Sequence, residues 1–245
     1  MSNDALPPAD IAPGILTEQM TDDWGLFVRS RATLESFRSQ YQDVEVHDSV
    51  PFGRLFRLDG HFMTSEKDEF FYHENLVHIA ALAHPRPERA LIVGGGDGGS
   101  AEELLKHPSM QQVTIAEIDA SVVDISRRHF NEVHRGALDD PRVELVHDDV
   151  ADVIAREKGL AAMLLDVDNG PQWASFRTNA RLYADAALVR ARDALRPRGL
   201  YAVWSGYAAD PFVARLRQAG FASARIEPLT ERGVVRARAY VGVAP

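Results

Sequence analysis

The sequence predicts an α/β fold, a doubly wound and mostly parallel sheet preceded by a small antiparallel β domain. Three observations carry this. From about residue 90 onward, aliphatic strand-like runs alternate with amphipathic helical stretches, the pattern of βαβ units. The first of those runs, Leu91-Ile92-Val93, ends in Gly94-Gly95-Gly96-Asp97-Gly98-Gly99, a turn that lets backbone approach a ligand closely. Upstream, Asp43 to His47 and Arg54 to Gly60 alternate polar and apolar residues and are followed by turns, as half-buried strands do.

Residues 1–14, with Pro7, Pro8, Pro13 and Gly14, read as a disordered leader, residues 15–64 as the β domain, and residues 65–245 as the Rossmann-like nucleoside-binding domain. A helix is expected over Glu74 to Ala83, where Leu76, Val77, Ile79, Ala80 and Ala83 follow a helical period before Pro85 and Pro87. Strands are expected at 90–93, 112–117, 142–146, 161–165, 199–204, 224–227 and 236–243, with helices at 100–107, 120–131, 149–157, 184–195 and 211–219. In a sheet so connected, ligands bind at the carboxyl ends of the strands.

Bulk properties narrow the function. With 245 residues, 45% hydrophobic and 26% charged, the chain can bury a full α/β core. It has no apolar run of the ~18 residues a membrane span needs, and Met1 to Ile15 carries no basic cluster of a secretory signal, so a cytoplasmic protein without a membrane partner is expected. The absence of cysteine removes thiolate catalysis and zinc-thiolate sites. A formal charge of -9 disfavours nucleic acid and favours a cationic partner.

The glycine turn points to a particular ligand class. Glu117, at the end of the second strand, lies where a ribose-binding acid is expected. Asp97 inside the turn would repel a pyrophosphate and attract a sulfonium or an amine, which favours an S-adenosyl ligand over a dinucleotide. Asp97, Glu117, Asp148, Asp149, Asp166 and Asp168 all follow strand ends, so six carboxylates are expected on one rim. Their repulsion is costly unless a ligand brings positive charge; helix capping is the alternative reading, most of all for Asp148. Asp166, at a strand terminus beside a turn, stands where a general base belongs. His73 and His78 are five apart, which turns them off a common helical face, so no metal site is expected. Trp24, Trp173 and Trp204 could line a pocket, but packing accounts for them more simply.

Gln40-Tyr41-Gln42-Asp43, Leu58-Asp59-Gly60, Glu66 to Glu74, Val93 to Gly99 and Glu117-Ile118-Asp119 resemble, in order and spacing, the motifs of the polyamine aminopropyltransferases typified by spermidine synthase. The resemblance covers roughly residues 24–205. It implies a small N-terminal β domain on a class I methyltransferase-type Rossmann domain, a homodimer, and transfer of an aminopropyl group from decarboxylated S-adenosylmethionine to putrescine, giving spermidine and methylthioadenosine. Decarboxylated S-adenosylmethionine is then a co-substrate, and no permanently bound cofactor is implied. Carried over by position, Gln42, Glu117, Asp149, Val150 and Pro171 would hold the nucleoside beside the turn at Gly94 and Gly95. Tyr72, His73, Asp97 and Asp168 would face the amines, and Asp166 would accept the proton. The chain departs from the family at Asp166 to Pro171, which is two residues shorter, at Asp148-Asp149-Val150 in place of Gly-Asp-Gly, and at Val203 to Gly206 in place of a Gln-rich strand end.

Overall fold

The computed structural model describes residues 14–20, 22–167, 170–171, 177–209 and 211–245. The chain divides into two compact units, one ending at Glu69 and the other running from Phe70 to Pro245. Among the described residues no helix is long and apolar enough to cross a membrane.

The first unit is a five-stranded antiparallel sheet in sequential order: β1 (Ile15–Gln19), β2 (Gly25–Arg38), β3 (Asp43–Ser49), β4 (Gly53–Leu58) and β5 (His61–Ser65). Alternation places Val44, Val46, Leu55, Phe56 and Leu58 inside it. Asp59 and Gly60, both at positive φ (46° and 83°), make the two-residue hairpin between β4 and β5 that an Asp-Gly pair favours. The strand β2, 14 residues long and mostly exposed, exceeds the short strands expected here; few of its side chains are buried, so its sequence lacks a sustained apolar alternation.

The second unit carries a seven-stranded sheet. Its elements are α1 (Glu69–Ala81), β6 (Arg89–Gly94), α2 (Gly99–Leu105), β7 (Gln112–Ala116), α3 (Ala120–His129), α4 (Asn131–His134), β8 (Val143–Val146), α5 (Val150–Arg156), β9 (Leu160–Asp166), α6 (Asp185–Ala194), β10 (Leu195–Ser205), α7 (Pro211–Gln218), β11 (Ser223–Glu231) and β12 (Val234–Val243). The strand order is β11-β12-β10-β9-β6-β7-β8. Five strands from β8 to β10 are parallel, and β12 runs antiparallel to both neighbours, so the sheet is the mixed, doubly wound kind expected. Leu91, Ile92 and Val93 of β6 are wholly buried, as a central parallel strand covered on both faces requires.

Two boundaries differ from expectation. The helix expected from Glu74 starts at Glu69, because the aromatic run Phe70-Phe71-Tyr72 has no 3.6-residue period to announce it. Its acidic first turn suits the helix dipole. The strand expected at 199–204 begins at Leu195, its register with β9 shifting between Leu195 and Leu200 around Arg198 at φ 64°.

The topology fixes where a ligand can bind. From β6 the chain winds to β7 and β8 on one side, then returns to β9 and β10 on the other. The switch point therefore lies between β6 and β9, whose carboxyl ends meet at the Gly94–Asp166 pair.

Candidate active site at the strand ends

The site begins with the glycine turn after β6. Gly94 and Gly95 take φ values of 79° and 71°, in the region that favours glycine. A Cβ at Gly94 would stand 2.4 Å from the carbonyl oxygen of Asp166, and one at Gly95 would stand 2.8 Å from its Oδ2. The turn and the end of β9 therefore fit only without side chains. Within the turn, Asp97 Oδ1 accepts the Gly99 amide at 3.0 Å.

Helix α1 and the two strand ends then assemble a cation-seeking cluster. One donor atom from each of His73, Asp97 and Asp166 lies within 4.8 Å of the others. His73 Nε2 is 3.5 Å from Asp97 Oδ2, and the ring is buried against Gly99, where a Cβ would approach to 2.3 Å. Asp166 Oδ2 is buried and, among the described residues, without a hydrogen-bond partner. Burial raises the Asp166 pKa above the ordinary carboxylate value and Asp97 pushes it further, while His73 and the hydroxyls of Ser100 and Tyr72 oppose the shift. Burial, then Asp166, holds the Tyr72 phenol well above its usual value. An acid so placed gains from taking a proton or from meeting a positive charge. One imidazole and two carboxylates could hold a divalent cation or an ammonium group. The spacing of His73 and His78 gave no view of this grouping, because the acids come from β6 and β9; His78 instead meets His107 at 3.0 Å and Glu103 at 3.0 Å.

Glu117 stands beside the same turn, just beyond β7. A Cβ on Gly96 would meet its Cγ at 2.8 Å, and its Oε1 accepts the Asp119 amide at 2.9 Å. Burial raises its pKa to about 7, the Asp119 and Gly96 amides pull it down, and the charges of Asp119 and Asp97 raise it. Such a carboxylate at a strand end can take two hydroxyl donors.

The other expected residues are placed less uniformly. Asp149 caps α5 by accepting the Ala151 amide at 2.8 Å and pairs with Arg181 at 2.8 Å; Val150 opens that helix and is buried. Asp148 accepts from the Asp149 amide and from Arg156, each at 2.8 Å, so capping and ion pairing account for it. Pro171 follows Gly170, which packs against Ser205 so closely that a Cβ would reach Oγ at 2.1 Å. Gln42 lies in the first unit, in the turn before β3, where its amide donates to Ser39 Oγ at 3.0 Å. Asp168 and Trp173 lie outside the described residues. The structure thus brings together Asp97, Glu117 and Asp166 with Tyr72 and His73. Sequence reasoning did not single out Ser100, and it assigned Trp204 to packing.

Residues 69–205, from the first residue of α1 to the last of β10, match the spermine/spermidine synthase domain. The chain belongs to the spermine/spermidine synthase family. It is 46% identical over 138 residues to the polyamine aminopropyltransferase of Nitrosomonas europaea, covering 56% of this chain and 42% of that protein. It is 40% identical over 192 residues to that of Leptospira biflexa, covering 76% and 65% respectively. The matched segment thus spans from under half to about two thirds of these relatives. A spermidine synthase crystallised with the transition-state analogue AdoDATO superposes with a TM-score of 0.83 at 26% identity, covering 100% of this chain and 84% of that one. Spermidine synthase from Thermotoga maritima superposes with a TM-score of 0.81 at 27% identity, covering 96% and 81%. Membership in the spermine/spermidine synthase family and the sheet order agree with the class I methyltransferase-type fold expected.

Proposed function

We propose that this chain is a polyamine aminopropyltransferase of the spermidine synthase type, using decarboxylated S-adenosylmethionine and putrescine. The observation that carries the reading is the cluster of His73, Asp97 and Asp166 at the switch point beside the glycine turn. The family's chemistry needs a site that attracts a sulfonium and an amine together, and an acidic cluster with raised carboxyl pKa values suits both. The hydroxyl and aromatic neighbours of the cluster suit an ammonium group.

The proposed roles carry over the family resemblance onto these positions. Glu117 accepts both ribose hydroxyls, while Gly94 and Gly95 let the backbone approach the nucleoside, with Asp149, Val150 and Pro171 completing its surround. Asp97, His73 and Asp168 hold the amine, and Tyr72 positions the attacking nitrogen. Asp166 accepts the proton that the ammonium must lose to become a nucleophile. The freed lone pair forms a C–N bond at the propyl methylene as the C–S bond breaks. The electron pair of that bond returns to sulfur, leaving neutral methylthioadenosine and spermidine. Holding both reactants in line supplies much of the rate. A cytoplasmic homodimer belongs to the same reading, and sedimentation tests the dimer.

The deciding experiment supplies purified protein with decarboxylated S-adenosylmethionine and, separately, putrescine and other di- and polyamines. Amine-dependent methylthioadenosine with a matching aminopropylated product is expected. Methyl transfer from S-adenosylmethionine, or no product with any amine, contradicts the reading.

A further inference from the structure

The Val203 to Gly206 segment, where the chain leaves the family pattern, ends β10 beside the cluster. In the parallel register Val203 pairs with Leu165, so Trp204 and Asp166 each stand one residue further along neighbouring strands. Both side chains converge on Tyr72. Its ring centroid is 4.8 Å from that of Trp204, tilted by 52°, and its hydroxyl acts on Asp166. Trp204 Nε1 is buried and, among the described residues, has no hydrogen-bond partner. The ring packs in part against the core, and that packing leaves the N–H unaccounted for, since an indole at a buried site ordinarily finds an acceptor for it. Next to it, Gly170 lies close against Ser205, whose hydroxyl donates to the Tyr207 carbonyl at 2.8 Å.

From this placement we infer that Trp204, backed by Tyr72, is the residue that sets acceptor choice: its indole walls the amine side of the cleft and restricts it to short, unbranched primary diamines. The inference rests on the aminopropyl-transfer reading and adds to it which side chain excludes larger amines. An aromatic face also attracts an ammonium group, so the wall favours a cation while limiting its size. A longer amine with an internal secondary nitrogen would have to occupy the space the indole fills.

The test compares wild type with Trp204→Ala, Trp204→Gln and Trp204→Phe. For each, kcat/KM is measured for putrescine and for spermidine, and binding of both amines to the methylthioadenosine-loaded protein is measured by calorimetry. Removing the ring should reduce the putrescine-to-spermidine preference at least about tenfold in both measurements, with methylthioadenosine affinity within about twofold of wild type. The Phe variant should shift it less. A preference unchanged within about twofold in folded Gln or Ala variants overturns the inference, as does failure of any amine to bind the loaded wild-type protein. Should amines bind with a Trp204-dependent preference while no methylthioadenosine forms, the transfer reading fails and the amine wall stands.

Discussion

The Gly95 amide donates a 3.0 Å hydrogen bond to the carbonyl oxygen of Asp166. The turn after the first parallel strand and the carboxylate after the fourth are therefore joined through backbone. Asp166 is positioned by the fold itself rather than by a flexible loop. Gly95→Ala should destabilise the protein by about 1–3 kcal/mol, because alanine is strained at φ 71° and its Cβ would meet both Ile92 and Asp166. Turnover should fall further than stability, since the carboxylate must move to make room. Urea unfolding alongside initial rates separates the two, and equal stability and activity in the variant would show that the turn does not fix Asp166.

If Glu117 binds the ribose as proposed, nucleoside binding should depend on pH. Its carboxyl is raised from 4.5 to about 7 in the fold, so its stabilising protonated state is complete below 4.5 and is lost as pH rises through about 7. Ribose hydroxyls donate to the ionised form, so methylthioadenosine affinity should increase between pH 6 and 8, with proton release at the lower end. Calorimetry in buffers of different ionisation enthalpy reads this directly. Glu117→Gln should lose about 1.5–3 kcal/mol of binding and the pH dependence with it; affinity unchanged by the substitution would remove Glu117 from the site.

Asp97 should act mainly on the amine. Asp97→Asn ought to raise the amine KM more than it weakens methylthioadenosine binding, because the lost attraction is between opposite charges in a partly dry cleft. Rising salt should weaken amine use in wild type, though less than for fully exposed charges. If nucleoside and amine suffer equally, Asp97 serves the glycine turn through its bond to the Gly99 amide instead.

Much of this was legible in the sequence, for identifiable reasons. Leu91-Ile92-Val93 and Leu164-Leu165 are buried on both faces, so their apolar runs mark strands without ambiguity. The glycines, Asp97, Glu117 and Asp166 lie at strand ends, and a parallel sheet collects strand ends. What the pattern hid depends on partners distant in sequence. Asp148 and Asp149 read as two more acids on the rim, but Arg156 and Arg181 neutralise them, and ion-pair partners have no fixed spacing. His73 joins the cluster from α1, while its partners Asp97 and Asp166 come from strand ends distant in sequence. Trp204 reads as core in the sequence, and its N–H, unpartnered among the described residues, and its contact with Tyr72 depend on elements distant in sequence.

The most direct test of the central claim, that Asp166 takes the proton from the attacking amine, is single-turnover methylthioadenosine formation by Asp166→Asn. Nucleoside affinity is measured on the same preparation. The substitution preserves shape and removes the basic oxygen. The account predicts a rate lower by a factor on the order of 10² to 10⁴, with methylthioadenosine binding close to wild type. A rate near wild type, or a loss explained wholly by weaker nucleoside binding, would contradict it.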